Sequence, residues 1–475
     1  MVDGRGRTVL LFTCCLALFI STLDNTVANI ALPSIQRSLH GNLQALQWVV
    51  DAYVLVRSSL LLSAGALADR FGRRRLFQLG LLGFGAGSVL CSLAPSSGLL
   101  IAFRVLQAIG GAALTPASLA LIANAFPGRV ERARALGFWS ATAGASTALG
   151  PIVGGLLVET AGWRSVFWIN VPVVALAYVL AGRYVQKSRA VRPRRLDLAG
   201  QTLAFATLGL VTFALIEGPA AGWGSAPIVS LFGLSAAALL AFLAVEQRRR
   251  EPLLDLSAFR NPVFAGASAL ALIAYLAVGG FIFLNTLYLQ QVRGYSPLIA
   301  GLLLAPATVG MLVVAPLSGR LTGRFGARPP TAVASMLLVA GLLVLSAAGA
   351  SAKVGVLVVG YVLLGSAIGL ANPPITVAAI FGMPAERAAV AGAVSSTSRQ
   401  VGNALGVALL GSIAYSALPA AATNGPLHAV GDSFATGMGH AYLVAAALAL
   451  AGFFVALLAM DDRPARAAAA ASELP

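Results

Sequence analysis

Apolar positions along this chain come in long blocks rather than at strand or surface-helix intervals. Stretches of about 18–25 residues with few charges, the length that crosses a bilayer, recur from end to end. Fourteen can be counted, the least distinct being the middle pair near 198–217 and 226–246. Only a helix satisfies its own amide groups inside such a run, and the alternation of a membrane β-barrel is absent. The pattern predicts an all-α integral membrane protein. The first run continues past Asp24 to Pro33 and other spans follow it. It therefore reads as a membrane span, not as a cleaved signal peptide.

Composition agrees. Of 475 residues, 58% are hydrophobic and 10% are charged, where a soluble domain carries about 25% charged residues. The net charge of +16 is placed for topology and not for nucleic acid. Basic residues cluster in alternate loops, as in "DRFGRRR" (69–75), "GRVERAR" (128–134), "RYVQKSRAVRPRR" (183–195), "EQRRR" (246–250) and "GRLTGRFGAR" (319–328). About 25 of the 32 Lys and Arg fall on one side, the bias that marks the cytoplasmic face, so both termini are expected there. No basic patch is interleaved with stacking aromatics.

An enzyme has little to stand on here. Cys14, Cys15 and Cys91 lie in apolar spans, and His40, His428 and His440 are scattered near loop ends. No metal-ligand spacing, nucleophile elbow or phosphate loop is present. No cofactor and no metal are expected.

Two loops repeat. Residues 65–77 read "GALADRFGRRRLF" and residues 319–331 read "GRLTGRFGARPPT". Gly65, Leu67, Arg70, Phe71, Gly72 and Arg74 match Gly319, Leu321, Arg324, Phe325, Gly326 and Arg328. Each loop joins the second and third spans of its half if the middle pair is an insert. A parallel repeat implies two six-helix bundles that rock about a central substrate site. The expected organisation is a bundle over 1–185, a linker with two extra central helices over 186–250, a second bundle over 251–460, and a disordered tail over 461–475. The stretch 251–262, with Leu253, Leu254, Leu256 and Phe259, is expected to lie on the membrane surface. In the first loop, Gly72 suits a positive φ, and Asp69 is a helix cap or a partner for Arg73. Gly65, Asp69, Arg70, Gly72 and Arg73 are the candidate gating residues of this loop.

These residues resemble a known family. "GALADRFGRRR" is similar to the loop signature between spans 2 and 3 of the major facilitator superfamily. "LDNTVANIALP" (23–33), "RVLQAIGGAAL" (104–114), "LGPIVGG" (149–155) and "WRSVFWINVP" (163–172) resemble, in order, the span 1, 4, 5 and 6 motifs of its fourteen-span drug:proton antiporters. Ser146 stands where the fifth-span pattern often has another glycine. The resemblance implies export of amphipathic compounds by alternating access, in the inner (plasma) membrane, driven by protons. An exporter of a lipid or of a dedicated endogenous metabolite would use the same architecture. A nutrient importer is disfavoured by the resemblance of "LGPIVGG" to the antiporter motif. The expected partners are the bilayer, protons and an amphipathic small molecule, with no nucleic acid, and the expected unit is a monomer.

Charges inside spans supply the candidate chemistry. An ionised Asp at mid-span costs about 2.5–3.5 kcal/mol and so needs a use or a partner. Asp24, Asp51 and Arg104 are expected at similar depth. An arginine beside a buried carboxylate favours its charged form, and its withdrawal favours the protonated form. Asp24 is the first proton-coupling candidate, Asp51 the second, and Arg104 the group that tunes Asp24. The alternative is a static ion pair joining spans 1 and 4. Arg57 either faces the cavity or pairs with a carboxylate on a neighbouring helix. Cavity candidates are Asn25, Arg57, Gln107, Asn285, Tyr288, Asn372, Arg399, Gln400 and Asn403, with Asn29, Trp48 and Tyr53 as further polar or aromatic residues in spans. Trp48 is equally suited to interfacial anchoring. In span 5, Pro151 is expected to kink the helix. Gly150, Pro151, Gly154 and Gly155 are gating candidates, because small residues let helices close in between the halves.

Overall fold

A computed structural model describes residues 4–186, 188, 197–249, 254–381, 383, 388–419 and 430–460. These residues are helical and turn structure, with no strand among them. The first helices are α1 (Gly4–Leu39), α2 (Leu43–Phe71), α3 (Arg73–Ser92), α4 (Ser97–Ala125) and α5 (Arg129–Ala161). A short α6 (Ser165–Trp168), α7 (Asn170–Tyr184), α8 (Leu198–Ala221) and α9 (Ala226–Arg248) follow. Then come α10 (Pro262–Leu287), α11 (Pro297–Leu303), α12 (Ala305–Phe325), α13 (Arg328–Ser346), α14 (Val354–Phe381), α15 (Ala388–Ser416) and α16 (Gly431–Ala459). The tail over 461–475 and the linker over 189–196 lie outside the described residues.

Among the described residues, 12 helices are long and apolar enough to cross a membrane, or 13 with the bent α2 taken as one span. Their ends follow local chemistry. Asn42 caps α2 by accepting from the Ala45 amide at 2.8 Å, Ser96 caps α4 by accepting from Leu99, and Asn261 precedes Pro262 at the start of α10. Such caps satisfy amides that a helix start leaves open. Pro151 sits inside α5, and the helix runs through it unbroken; the kink expected there does not divide the span.

Two compact units divide the chain. The first holds Met1–Glu217, Gly224–Leu253 and Leu289–Leu302. In it α5 packs on α1, α3 and α2 on α4, and α7 on α1 and α3. The second holds Gly218–Trp223, Leu254–Tyr288 and Leu303–Pro475. There α10 packs on α15 without intervening side chains. A Cβ on Gly402 would strike the Leu272 carbonyl, and one on Gly406 the Leu276 carbonyl, the close approach that small residues permit in membranes. The turn Leu256–Arg260 sets Phe259 edge-on to Phe264 of α10 at 5.2 Å, so it is tied to its helix. Leu253 lies outside the described residues.

The repeated loops share a glycine with positive φ at the turn. Gly72 has φ 98° and Gly326 has φ 84°, values that L side chains adopt only with strain. Beside each, an arginine stacks on the phenylalanine that follows it: Arg70 on Phe71 at 5.9 Å and Arg324 on Phe325 at 5.2 Å.

Candidate functional site

In the first unit, α1, α4 and α7 bring three polar side chains onto one carboxylate. Asp24 is 2% exposed and Arg104 is fully buried. Arg104 Nη1 meets Asp24 Oδ2 at 2.6 Å. Gln107, one helical turn along α4, donates to Asp24 Oδ1 at 2.8 Å. Asn170, at the start of α7, donates to the same oxygen at 2.7 Å. Ser88 of α3 accepts from both amides, at 2.8 Å from Gln107 and 3.1 Å from Asn170. All of these partners donate to Asp24, which is what an ionised carboxylate, an acceptor only, requires.

Arg104 is held on its other sides as well. Its Nε donates to the Val49 carbonyl at 3.2 Å, and its Nη1 to Gln107 at 2.7 Å. Its guanidinium carbon lies 4.0 Å from the Tyr53 ring centre, a cation–π placement worth roughly 2 kcal/mol once desolvated. A buried ion pair needs such further bonds to offset the loss of hydration. The spacing of Arg104 and Gln107, three apart on one helix, puts both on one face.

Asp51 is not part of this hub. It is fully buried on α2, and neither of its carboxyl oxygens has a hydrogen-bond partner among the described residues. Arg57, also on α2, donates from Nη1 to the Ser21 carbonyl at 3.2 Å and to Tyr53 at 3.4 Å. It pairs with no carboxylate among the described residues, which removes the neighbouring-carboxylate reading. Asn25 lies beside the hub residue Asp24 with a buried side-chain oxygen that has no partner among the described residues. Asn29 donates to the Asn25 carbonyl at 2.8 Å.

The glycine motif of α5 faces two ways. A Cβ on Gly150 would overlap Thr26, and one on Gly154 would touch Val27 Cα at 3.1 Å, so both turn toward α1. The expectation that this pair packs between halves does not describe them. Gly155 does turn toward residues from later in the chain: its Cβ would lie 2.7 Å from Leu298 Cα. A Cβ on Gly301 would in turn strike the Pro151 carbonyl. Glu159 accepts from the Leu298 amide at 3.1 Å. Ser146 donates to the Phe19 carbonyl at 2.6 Å, so the serine tightens α5 onto α1.

A model of the Major Facilitator Superfamily matches residues 14–407, which takes in this hub and the glycine motif. The chain belongs to the major facilitator superfamily. It is 41% identical over 410 residues to the multidrug resistance protein Stp of Mycobacterium tuberculosis, covering 86% of this chain and 76% of that protein. It is 37% identical over 507 residues to the tetracenomycin C resistance and export protein of Streptomyces glaucescens, covering 97% and 93%. Its fold is similar to a crystal structure of the POT family transporter PepTSo, with TM-score 0.67 at 14% identity over 96% of this chain and 98% of that one.

The loop between α2 and α3 of this superfamily member is pinned on both sides. Arg73 Nη2 meets Asp69 at 3.5 Å, and Arg73 Nη1 reaches the Ala120 carbonyl at 3.4 Å. The Arg73 amide donates to the Ser188 carbonyl at 3.0 Å. Arg74 grips the end of α7 through the Val185 and Gly182 carbonyls. Asp69 thus takes the ion-pair role, and α3 has no side-chain cap. Gly65 has open space around it.

The candidates of the second unit are neutral contacts. Tyr361 donates to Asn285 at 2.6 Å, Tyr275 to Asn372 at 3.2 Å, and Tyr288 to the Gly349 carbonyl at 2.7 Å. Asn285 and Tyr288 are buried in helix packing, and Asn403 lies against Gly279 of α10. Arg399 reaches Thr376 at 3.4 Å and Ser395 at 3.3 Å. Gln400 is half-buried on the same helix. Trp48 packs against Phe213 with the rings tilted and donates to Glu217 at 3.3 Å. Sequence reasoning missed Asn170 and Ser88. Asn170 could have been found as the one strongly polar residue where the apolar run "VFWINVP" restarts.

Proposed function

We propose that this protein is a proton-coupled antiporter that exports amphipathic small molecules by alternating access. The observation that carries the reading is the buried ion pair of Asp24 and Arg104, with Gln107 and Asn170 on the same carboxylate. An ionisable residue inside the membrane is a functional-site candidate by default, and proton relays are among its uses. The multidrug and antibiotic resistance relatives support a drug-like or secondary-metabolite cargo. In this reading α15 and the bent α2 complete fourteen spans, the termini face the cytoplasm, and the protein is a monomer of the inner membrane.

The coupling works by exchange of partners. With Arg104 in place, Asp24 is ionised. A rocking step that withdraws α4 from α1 leaves the carboxylate alone in a low dielectric, where it takes a proton from outside. Substrate leaves in that state. Return to the inward state restores Arg104 and releases the proton inside. Gln107 and Asn170 hold the ionised form between cycles. Asp51, buried without a partner, is the second proton site. Arg57, Asn25, Asn372, Arg399, Gln400 and Asn403 are proposed to face cargo at some stage. The Asp69–Arg73 loop and the Gly150–Gly155 stretch hold the alternate states. One proton contributes about 2.3 kcal/mol per 100 mV, and each tenfold cargo gradient costs about 1.4 kcal/mol.

The test is proton flux in liposomes under an imposed pH gradient, with a panel of lipophilic compounds. Wild type is expected to move protons when cargo is added, and Asp24→Asn is expected not to. A folded Asp24→Asn that still couples would assign Asp24 and Arg104 a static role and pass the proton to Asp51.

A further inference from the structure

The two middle helices, α8 and α9, have no role in the reading above. Their attachment to α2 suggests one. Between Leu61 and Ser63, α2 bends by 56°. No proline lies nearby, the segment reading "VRSSLLLSAGALA". Sharp bends without proline arise at Gly and Ser, or where a foreign side chain enters the hydrogen-bond ladder. Here a foreign side chain is in place. Gln201 of α8, 8% exposed, donates from Nε2 to the Ser59 carbonyl at 2.6 Å, and its Oε1 accepts from the Ser63 hydroxyl.

The choice of residues is informative. In a straight helix the Ser59 carbonyl accepts from the amide four residues on, which is Ser63. Gln201 therefore grips the two residues whose own bond would span the bend. An amide can donate and accept at once, which neither a carboxylate nor an aliphatic side chain can do. Farther along α8, Phe213 packs against Trp48 with ring centres 5.5 Å apart, and Glu217 accepts from the Trp48 indole at 3.3 Å. So α8 is fastened to α2 at two places, on either side of Asp51 and Arg57. The part of α2 beyond the bend carries Asp69 and Arg70.

We propose that Gln201 is a positioning residue that sets the bend of α2, and that the α8–α9 hairpin is in this way a working part of the transport cycle. The bend divides the segment with Asp51 and Arg57 from the segment that leads to the Asp69–Arg73 loop. Fixing its angle fixes how a movement of that loop reaches the buried residues. The proposal takes export from the reading above and adds the hairpin to it.

The experiment uses the full chain in proteoliposomes with a pH gradient and ethidium as the transported probe. Hydrogen–deuterium exchange of residues 57–66 is followed in the same preparations. Gln201→Leu is expected to raise exchange over 57–66 at least tenfold. It is expected to lower the maximal export rate at least fivefold, with the KM for ethidium within twofold of wild type. Ser63→Ala keeps the bond to Ser59 and should fall between, with a two- to threefold lower rate; it carries the test if Gln201→Leu does not fold. A merely structural hairpin predicts lower thermal stability with an unchanged maximal rate, and that result overturns the proposal. So does unchanged exchange over 57–66. If wild-type protein moves no ethidium, the export reading is what fails, and the exchange arm still decides whether Gln201 holds the bend.

Discussion

In the first unit a buried ion pair and its polar neighbours are joined: Asp24, Arg104, Gln107, Asn170 and Ser88 form one connected set, with Asp51 buried apart from it. In the second unit the paired polar side chains are neutral and separate: buried Tyr361 with Asn285, and half-buried Tyr275 with Asn372. Arg399, within α15 of the second unit, rests on hydroxyls and not on a carboxylate. Both units bury helices of similar length and hydropathy, so the membrane does not impose the difference. Neutral pairs satisfy polar atoms at little cost and have nothing to titrate. A charged, connected set is costly to build. The contrast supports the proposal that proton exchange belongs to the first unit.

The sharpest way to break this contrast is to remove one arginine from each unit. Arg104→Leu leaves Asp24 buried without its counter-charge and should cost about 3–5 kcal/mol. Arg399→Leu loses two hydroxyl contacts and should cost about 1 kcal/mol. Thermal unfolding in detergent would show it; equal losses would mean that the two arginines sit in equivalent environments after all.

Next come the glycines. Gly406→Ala drives a methyl into the Leu276 carbonyl, backbone that cannot turn aside, and should cost roughly 3 kcal/mol. Gly150→Ala meets the Thr26 hydroxyl, which can turn, and Thr26 Cβ, which moves only with its helix, and should cost roughly 2 kcal/mol. Reversal of that order in unfolding temperature would show that α1 and α5 have less freedom than α10 and α15.

Smaller effects sharpen the comparison. Asn170→Leu removes a hydrogen bond to a charged group, worth about 1.5–3 kcal/mol, while Tyr361→Phe removes a neutral one worth about 1 kcal/mol. Proton flux separates them further: Asn170→Leu is expected to shift its pH dependence, and Tyr361→Phe to leave it unchanged. The smallest effect on stability belongs to Asp69→Asn. Its pair with Arg73 spans 3.5 Å and is about a quarter exposed on both sides, so unfolding should change by about 0–1 kcal/mol. A large drop in export rate in that variant, with stability intact, would assign the loop to gating.

Much of this was legible in order. The block pattern of apolar residues gives membrane helices because a bilayer leaves the backbone no other way to satisfy its amides. The Gly72 and Gly326 turns could be read because a tight turn of that hand needs glycine. Asp24 and Arg104 stood out because a charge inside an apolar run must have a partner or a task, and Gln107 follows Arg104 at a helical interval. Asn170 was harder, since an isolated amide gives no sign of which helix it faces. The direction of Gly150 and Gly154 toward α1 was not legible either, because small residues four apart say that a neighbour is close and not which one.

The sequence by itself determined the solvent of this protein, the helices it must form, the internal repeat and the few charges that must matter. These follow from local rules: hydropathy over a span, turn geometry and the cost of a bare charge. Tertiary structure alone decided that Asp51 stays outside the hub, that Arg57 binds a carbonyl and a tyrosine, and that Gln201 meets α2 at its bend. Each of these depends on the rotation of one helix about its axis against another. In a membrane, where every face is apolar, hydropathy carries little information about that rotation.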